Sequence, residues 1–164
     1  MGPEATGATG SGAVTVAYDS VLHTLAIDAS FAGLSGNTTV AHIHCCVAVA
    51  GAGTAGVAVT PGTLPGFPVG VSSGTYSQVV DLALPGSFTA AFITANGGTS
   101  ASAEAAVVAG MNSGRAYFNV HSSTFPGGEI RAFVTAVPEP STYALLALGL
   151  AAVGFTARRR PIAS

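Results

Sequence analysis

The chain contains no lysine and no tryptophan, and only 7% of its 164 residues are charged. Three of the five arginines, Arg158, Arg159 and Arg160, crowd into the last seven residues. Up to Ala136, two arginines (Arg115 and Arg131) face six acids (Glu4, Asp19, Asp28, Asp81, Glu104 and Glu129), a formal charge of −4. Such a surface cannot neutralise a phosphate backbone, which excludes a nucleic-acid partner. No serine or cysteine nucleophile has a placed base and orienting group, and no phosphate-cradling loop is present, so no catalytic residue is nominated. Cysteine is limited to the adjacent pair Cys45-Cys46. Neighbours on a strand point to opposite faces and a bond between them is strained, so an ordinary intrachain staple is not expected. Residues 1–12 (MGPEATGATGSG) lack the basic start and apolar run of a signal peptide. They are expected to be a low-complexity, truncated lead-in, with a signal peptide and a first strand lying upstream.

What the chain does have is 22 glycines, nine prolines and many small β-branched residues. This mixture argues for an all-β sandwich of antiparallel strands over residues 13–136 rather than a helical bundle. Strands are expected at 13–18, 24–31, 38–46 and 75–82, with a short one at 57–59. Leu25, Ile27 and Ala29 alternate with Ala26, Asp28 and Ser30, the pattern of a half-buried strand. Residues 48–74 form a Gly/Pro-rich excursion too long for a passive connection, hence functional or mobile. One short helix is expected at 102–111, with Ser102 as N-cap and Glu104 in the first turn. Residues 88–94 fit either a strand or a helical turn.

The organising stretch is Gly114 to Phe133, GRAYFNVHSSTFPGGEIRAF, read as strand, turn and strand around Pro126-Gly127-Gly128. It carries His121 at the end of its first strand. Far upstream, Ala41-His42-Ile43-His44 places two imidazoles on one strand face, roughly 6.5–7 Å apart. His42, His44 and His121 are therefore the candidate metal ligands, and imidazole suits copper or zinc. Cys46 lies on the same strand face and could join them. The alternative for the three histidines is a buried polar cluster hydrogen-bonded to backbone. Asn119 shares a face with Tyr117 and His121 and could orient a ring. Glu129 and Arg131, two apart on one strand, together with Arg115 across the hairpin, suggest a structural ion-pair network. Glu129 beside His121 could otherwise serve as a general base.

The tail has three parts: Pro138-Glu139-Pro140, an uncharged apolar run over about 143–157, and the cluster Arg158-Arg159-Arg160. Fifteen residues make roughly 22 Å of helix, and flanking residues with snorkelling arginines bring it near the ~30 Å of a bilayer core. The arginines should remain cytoplasmic, leaving the folded domain outside. In this order the parts of residues 137–164 resemble a PEP-CTERM sorting signal. The resemblance implies export in a Gram-negative bacterium and processing by an exosortase near Pro138-Glu139-Pro140. It further implies transient anchoring in the inner membrane and delivery to the outer envelope or extracellular matrix.

Residues 4–136 in turn resemble the CHRD domain. The matching pieces are Ala8-Thr9-Gly10-Ser11-Gly12, Ala41-His42-Ile43-His44, Tyr117-Phe118-Asn119-Val120-His121 and Pro126-Gly127-Gly128-Glu129-Ile130-Arg131. The family's usual Glu-Val-Pro-Pro opening is missing, with at most Gly2-Pro3 remaining. Membership implies a β-sandwich, of immunoglobulin-like or superoxide-dismutase-like form, and an extracellular role. The expected function is a non-catalytic module of the envelope or matrix that binds exopolysaccharide or protein. A His-x-His strand, a glycine-rich loop and a late Val-His are also similar to the copper-ligand layout of copper/zinc superoxide dismutases. On that comparison His42, His44 and His121 take the copper positions. No histidine or aspartate follows in the loop to hold zinc, and the dismutase disulfide has no match, so dismutase activity is not expected.

Overall fold

In the computed structural model, the described residues are 1–138 and Leu150. Nine strands are present in this part: β1 (Gly2–Pro3), β2 (Ser11–Asp19), β3 (Thr24–Ala32), β4 (Thr38–Cys45), β5 (Val57–Val59), β6 (Gly74–Asp81), β7 (Ala116–Ser122), β8 (Ile130–Phe133) and β9 (Ala136–Pro138). They build a five-stranded sheet ordered β1-β8-β7-β4-β5 and a four-stranded sheet ordered β6-β3-β2-β9. The fold is all-β with few helices. Neighbouring strands pair antiparallel except β9, which runs parallel to β2. The expected all-antiparallel arrangement is thus corrected at that edge.

The alternation in β3 has the expected consequence. Leu25, Ile27, Ala29 and Phe31 are buried, while the residues between them are partly or fully exposed. From the other sheet Ala41, Ile43, Phe118 and Val120 meet them in one apolar cluster. Two helices, α1 (Ala90–Ala95) and α2 (Ser100–Asn112), bring Phe92, Val107 and Met111 into the same core. There are two helices rather than one, and of residues 88–94, which fitted either a strand or a helical turn, 90–94 are helical and belong to α1. The N-cap of α2 is Thr99, not Ser102. Ser102 instead occupies the third helical position and bonds back to Thr99, so the two hydroxyls satisfy each other's backbone donors.

The lead-in is part of the domain. Gly2 and Pro3 pair with Arg131 and Ile130, and the Glu4 amide donates to the Glu129 carbonyl at 2.9 Å. Among the described residues no helix is long and apolar enough to cross a membrane. Apart from Leu150, the apolar run at about 143–157, with Glu139, Pro140 and Arg158-Arg159-Arg160, lies outside the described residues.

Candidate metal centre

Strand β7 is buried along its whole length, so both of its faces are covered. Ala116, Phe118 and Val120 face the sandwich core. Tyr117, Asn119 and His121 occupy the other face, opposite His44, His42 and Val40 of β4 in the strand register. Because side chains two apart share a face and diagonal neighbours come close, the register gathers His42, His44 and His121 on the outer side of the sheet. They are 7%, 8% and 7% exposed. One ring nitrogen from each lies within 4.8 Å of the other two.

The cover is the Gly/Pro-rich excursion, and it sets the chemistry. His42 Nδ1 bonds the Gly62 carbonyl at 2.9 Å, and His44 Nδ1 bonds the Ala55 carbonyl at 2.8 Å. His121 Nδ1 bonds the Pro126 carbonyl, in the β7–β8 turn, at 2.8 Å. A carbonyl oxygen only accepts, so each Nδ1 carries a proton, and a ring with no second proton presents a bare Nε2. Yet His42 Nε2 and His121 Nε2 stand 2.8 Å apart, and His44 Nε2 is buried without a partner. Burial lowers the His42 pKa to about 4, only partly offset by its bond to Gly62. Burial likewise lowers that of His44, with His121 and Arg131 adding to the effect.

Around the cluster, the Tyr117 ring lies parallel to His44 with centroids 4.7 Å apart. The Arg131 guanidinium sits 4.9 Å above the Tyr117 ring, at a separation typical of cation–π contact. The Ala55 amide donates to Tyr117 Oη at 3.2 Å, so one loop residue is gripped by both rings. Asn119 is buried beside Gly128 and Glu4, and its Oδ1 has no partner.

Three other expectations are corrected. Arg115, Glu129 and Arg131 form no common ion-pair network. Arg131 pairs with Glu4 at 3.0 Å and donates to the Gly53 carbonyl at 2.9 Å, while Arg115 Nε donates to the Val47 carbonyl. Glu129 is fully buried and accepts from the Ser35 amide. Burial opposes its ionisation, but hydrogen bonds led by the Ser122 hydroxyl and the Ser35 amide outweigh that and lower its pKa. This carboxylate fastens the β3–β4 loop, and the ring nitrogen of His121 that it would have to serve as a base is bound to Pro126. Finally, Cys45 and Cys46 are joined in a disulfide against α2, so Cys46 has no thiolate to add to the histidines.

Sequence reasoning did not find the carbonyls of Ala55, Gly62 and Pro126, since a backbone acceptor has no residue signature. It also missed a second polar cluster. Glu104, on α2, accepts from Tyr18 at 2.7 Å and meets His23 Nδ1 at 2.9 Å. Burial and the Glu104 carboxylate push the Tyr18 phenol up to about 12.

The class defined by this fold and site is a two-sheet β domain with a covered three-imidazole cluster on the outer face of one sheet. The chain belongs to the CHRD domain family, whose model matches residues 1–134. Residues 136–160 match the PEP-CTERM protein-sorting motif. That motif marks the chain for exosortase recognition and export to the cell envelope. No curated protein and no solved structure matches the chain.

Proposed function

We propose that the chain is a non-catalytic binding or structural module of the outer envelope or extracellular matrix, an immunoglobulin-like or superoxide-dismutase-like sandwich. An exosortase releases it from a transient anchor in the inner membrane. The observation that carries this reading is the PEP-CTERM motif at 136–160 directly behind a CHRD domain at 1–134. A matrix partner is supported by an open groove of about 350 Å³ bordered by Pro61, Gln78, Asp81 and Leu84. Gln78 and Asp81 are exposed on its rim, so an exopolysaccharide or a matrix protein would find polar contacts there. The test is fractionation of a host with and without its exosortase. Mature protein should appear in the envelope or medium only when the enzyme is present. Unchanged distribution after loss of the enzyme, or after Pro138→Ala/Glu139→Ala/Pro140→Ala, overturns the reading.

A second reading is favoured by the facing Nε2 atoms. Two bare lone pairs 2.8 Å apart repel unless something positive joins them, and burial disfavours a second proton on His42. On this reading His42, His44 and His121 hold copper or zinc in the envelope. Protein that remains metal-free after equilibration with both ions would overturn it.

A further inference from the structure

We propose that the three-histidine centre is selective for a monovalent cation of copper, Cu(I), held by the Nε2 atoms of His42, His44 and His121. The inference rests on the metal-binding reading and deepens it by assigning the charge of the ion.

The donor set comes first. Each Nδ1–H is committed to a backbone carbonyl, at Gly62, Ala55 and Pro126. This is the outer-shell bond that metal-ligating histidines use to fix ring and tautomer. The three Nε2 lone pairs are therefore the only free ligand atoms of these side chains. Three nitrogens each about 2.0 Å from one ion stand roughly 3.3–3.5 Å from one another. The His42–His121 Nε2 pair stands 2.8 Å apart, and one ring nitrogen from each of the three histidines lies within 4.8 Å of the others. Small ring rotations complete the site.

Charge then decides between ions. All three donors are neutral, and among the described residues no carboxylate or thiolate joins the group. Glu129 is engaged with Ser35, Glu4 with Arg131, and Cys46 with Cys45. Arg131, which lies over the Tyr117 ring that stacks on His44, is itself paired with Glu4, so it supplies no negative charge to offset the ion. The cost of burying an ion rises with the square of its charge, and an unpaired buried charge already costs several kcal/mol. A divalent ion would keep its full +2 in this centre. Zinc would also seek a fourth ligand, and the Tyr117 hydroxyl is occupied by Ala55. A monovalent ion needs neither a neutralising ligand nor a fourth donor.

The test uses the full chain. It would be titrated anaerobically with Cu(I) and separately with Zn(II), each against a chromophoric chelator of known affinity. Cu(I) should bind at one equivalent and about 100-fold more tightly than Zn(II). Because Cu(I) is diamagnetic, imidazole nitrogen resonances can be followed on the unmodified protein. Those of His42, His44 and His121 should shift, while exposed His23, bonded to Glu104, should not. This readout needs no variant, so a folding defect in a histidine substitution cannot obscure it. Zinc bound as tightly as copper overturns the charge assignment and leaves the metal-binding reading intact. Neither ion bound overturns both, as does binding that shifts His23 alone.

Discussion

Deprotonated His42 is a property of the folded state, because the buried ring would have to give up favourable hydration on charging. With a folded pKa of about 4 against the ordinary imidazole value of 6.5, the unfolded chain binds the extra proton first. The associated stability is present above pH ~6.5 and is lost as pH falls through about 4, on the order of 3 kcal/mol in all. The lowered Glu129 pKa acts in the same direction at the acid end. Urea midpoints of metal-free protein should therefore drop steadily between pH 7 and pH 4. In His42→Asn that slope should flatten, and an unchanged slope would show that the ring titrates normally. At this scale the sequence was half legible. His-x-His spacing and the late Val-His brought out the three rings, because strand periodicity alone decides which side chains share a face. The ion-pair expectation failed because Glu129 and Arg131 are too close in sequence to reveal that each is claimed by a distant loop. Glu129 holds Ser35 and Arg131 holds Glu4 and Gly53.

Helix α2 shows what an element needs beyond its own periodicity. Its start was misplaced by three residues because Thr99 and Ser102 are both competent caps, and only their reciprocal bonding decides which stands outside the helix. Its docking depends on Gly110, where a Cβ would lie 2.3 Å from Cys45 Sγ and 2.6 Å from Cys46 Sγ. The two sulfurs are tied to each other and cannot swing aside as a flexible side chain would. Gly110→Ala should therefore destabilise the domain by roughly 1–3 kcal/mol, despite the better helix propensity of alanine. Gly86→Ala, with nothing within 4 Å of the added atom, is the control and should be near neutral. Chemical denaturation of the two variants checks the pair. Equal midpoints would mean that α2 does not press on the disulfide. Adjacent cysteines gave no hint of this contact, because the partner glycine lies 64 residues downstream and carries no side chain to betray it.

At the level of the whole molecule, the boundary between domain and sorting motif is a piece of β-sheet. Strand β9 lies past the family match at 1–134 and at the start of the motif at 136–160. Its three residues pair with Val16, Ala17 and Tyr18 of β2. Without them β2 would present unpaired amides and carbonyls at the edge of its sheet, a template for pairing with another chain. Processing near Pro138-Glu139-Pro140 would thus leave the edge strand with the domain, whereas a cut a few residues earlier would remove it. Two fragments test this. Residues 1–138 should melt within about 2 °C of the full chain, while residues 1–134 should melt several degrees lower, at roughly 4 °C per kcal/mol lost in a domain of this size. The shorter fragment should also associate in sedimentation, through the opened β2 edge. Identical melting of the two would make β9 a passive continuation of the tail, and the position of processing would then carry no consequence for the fold.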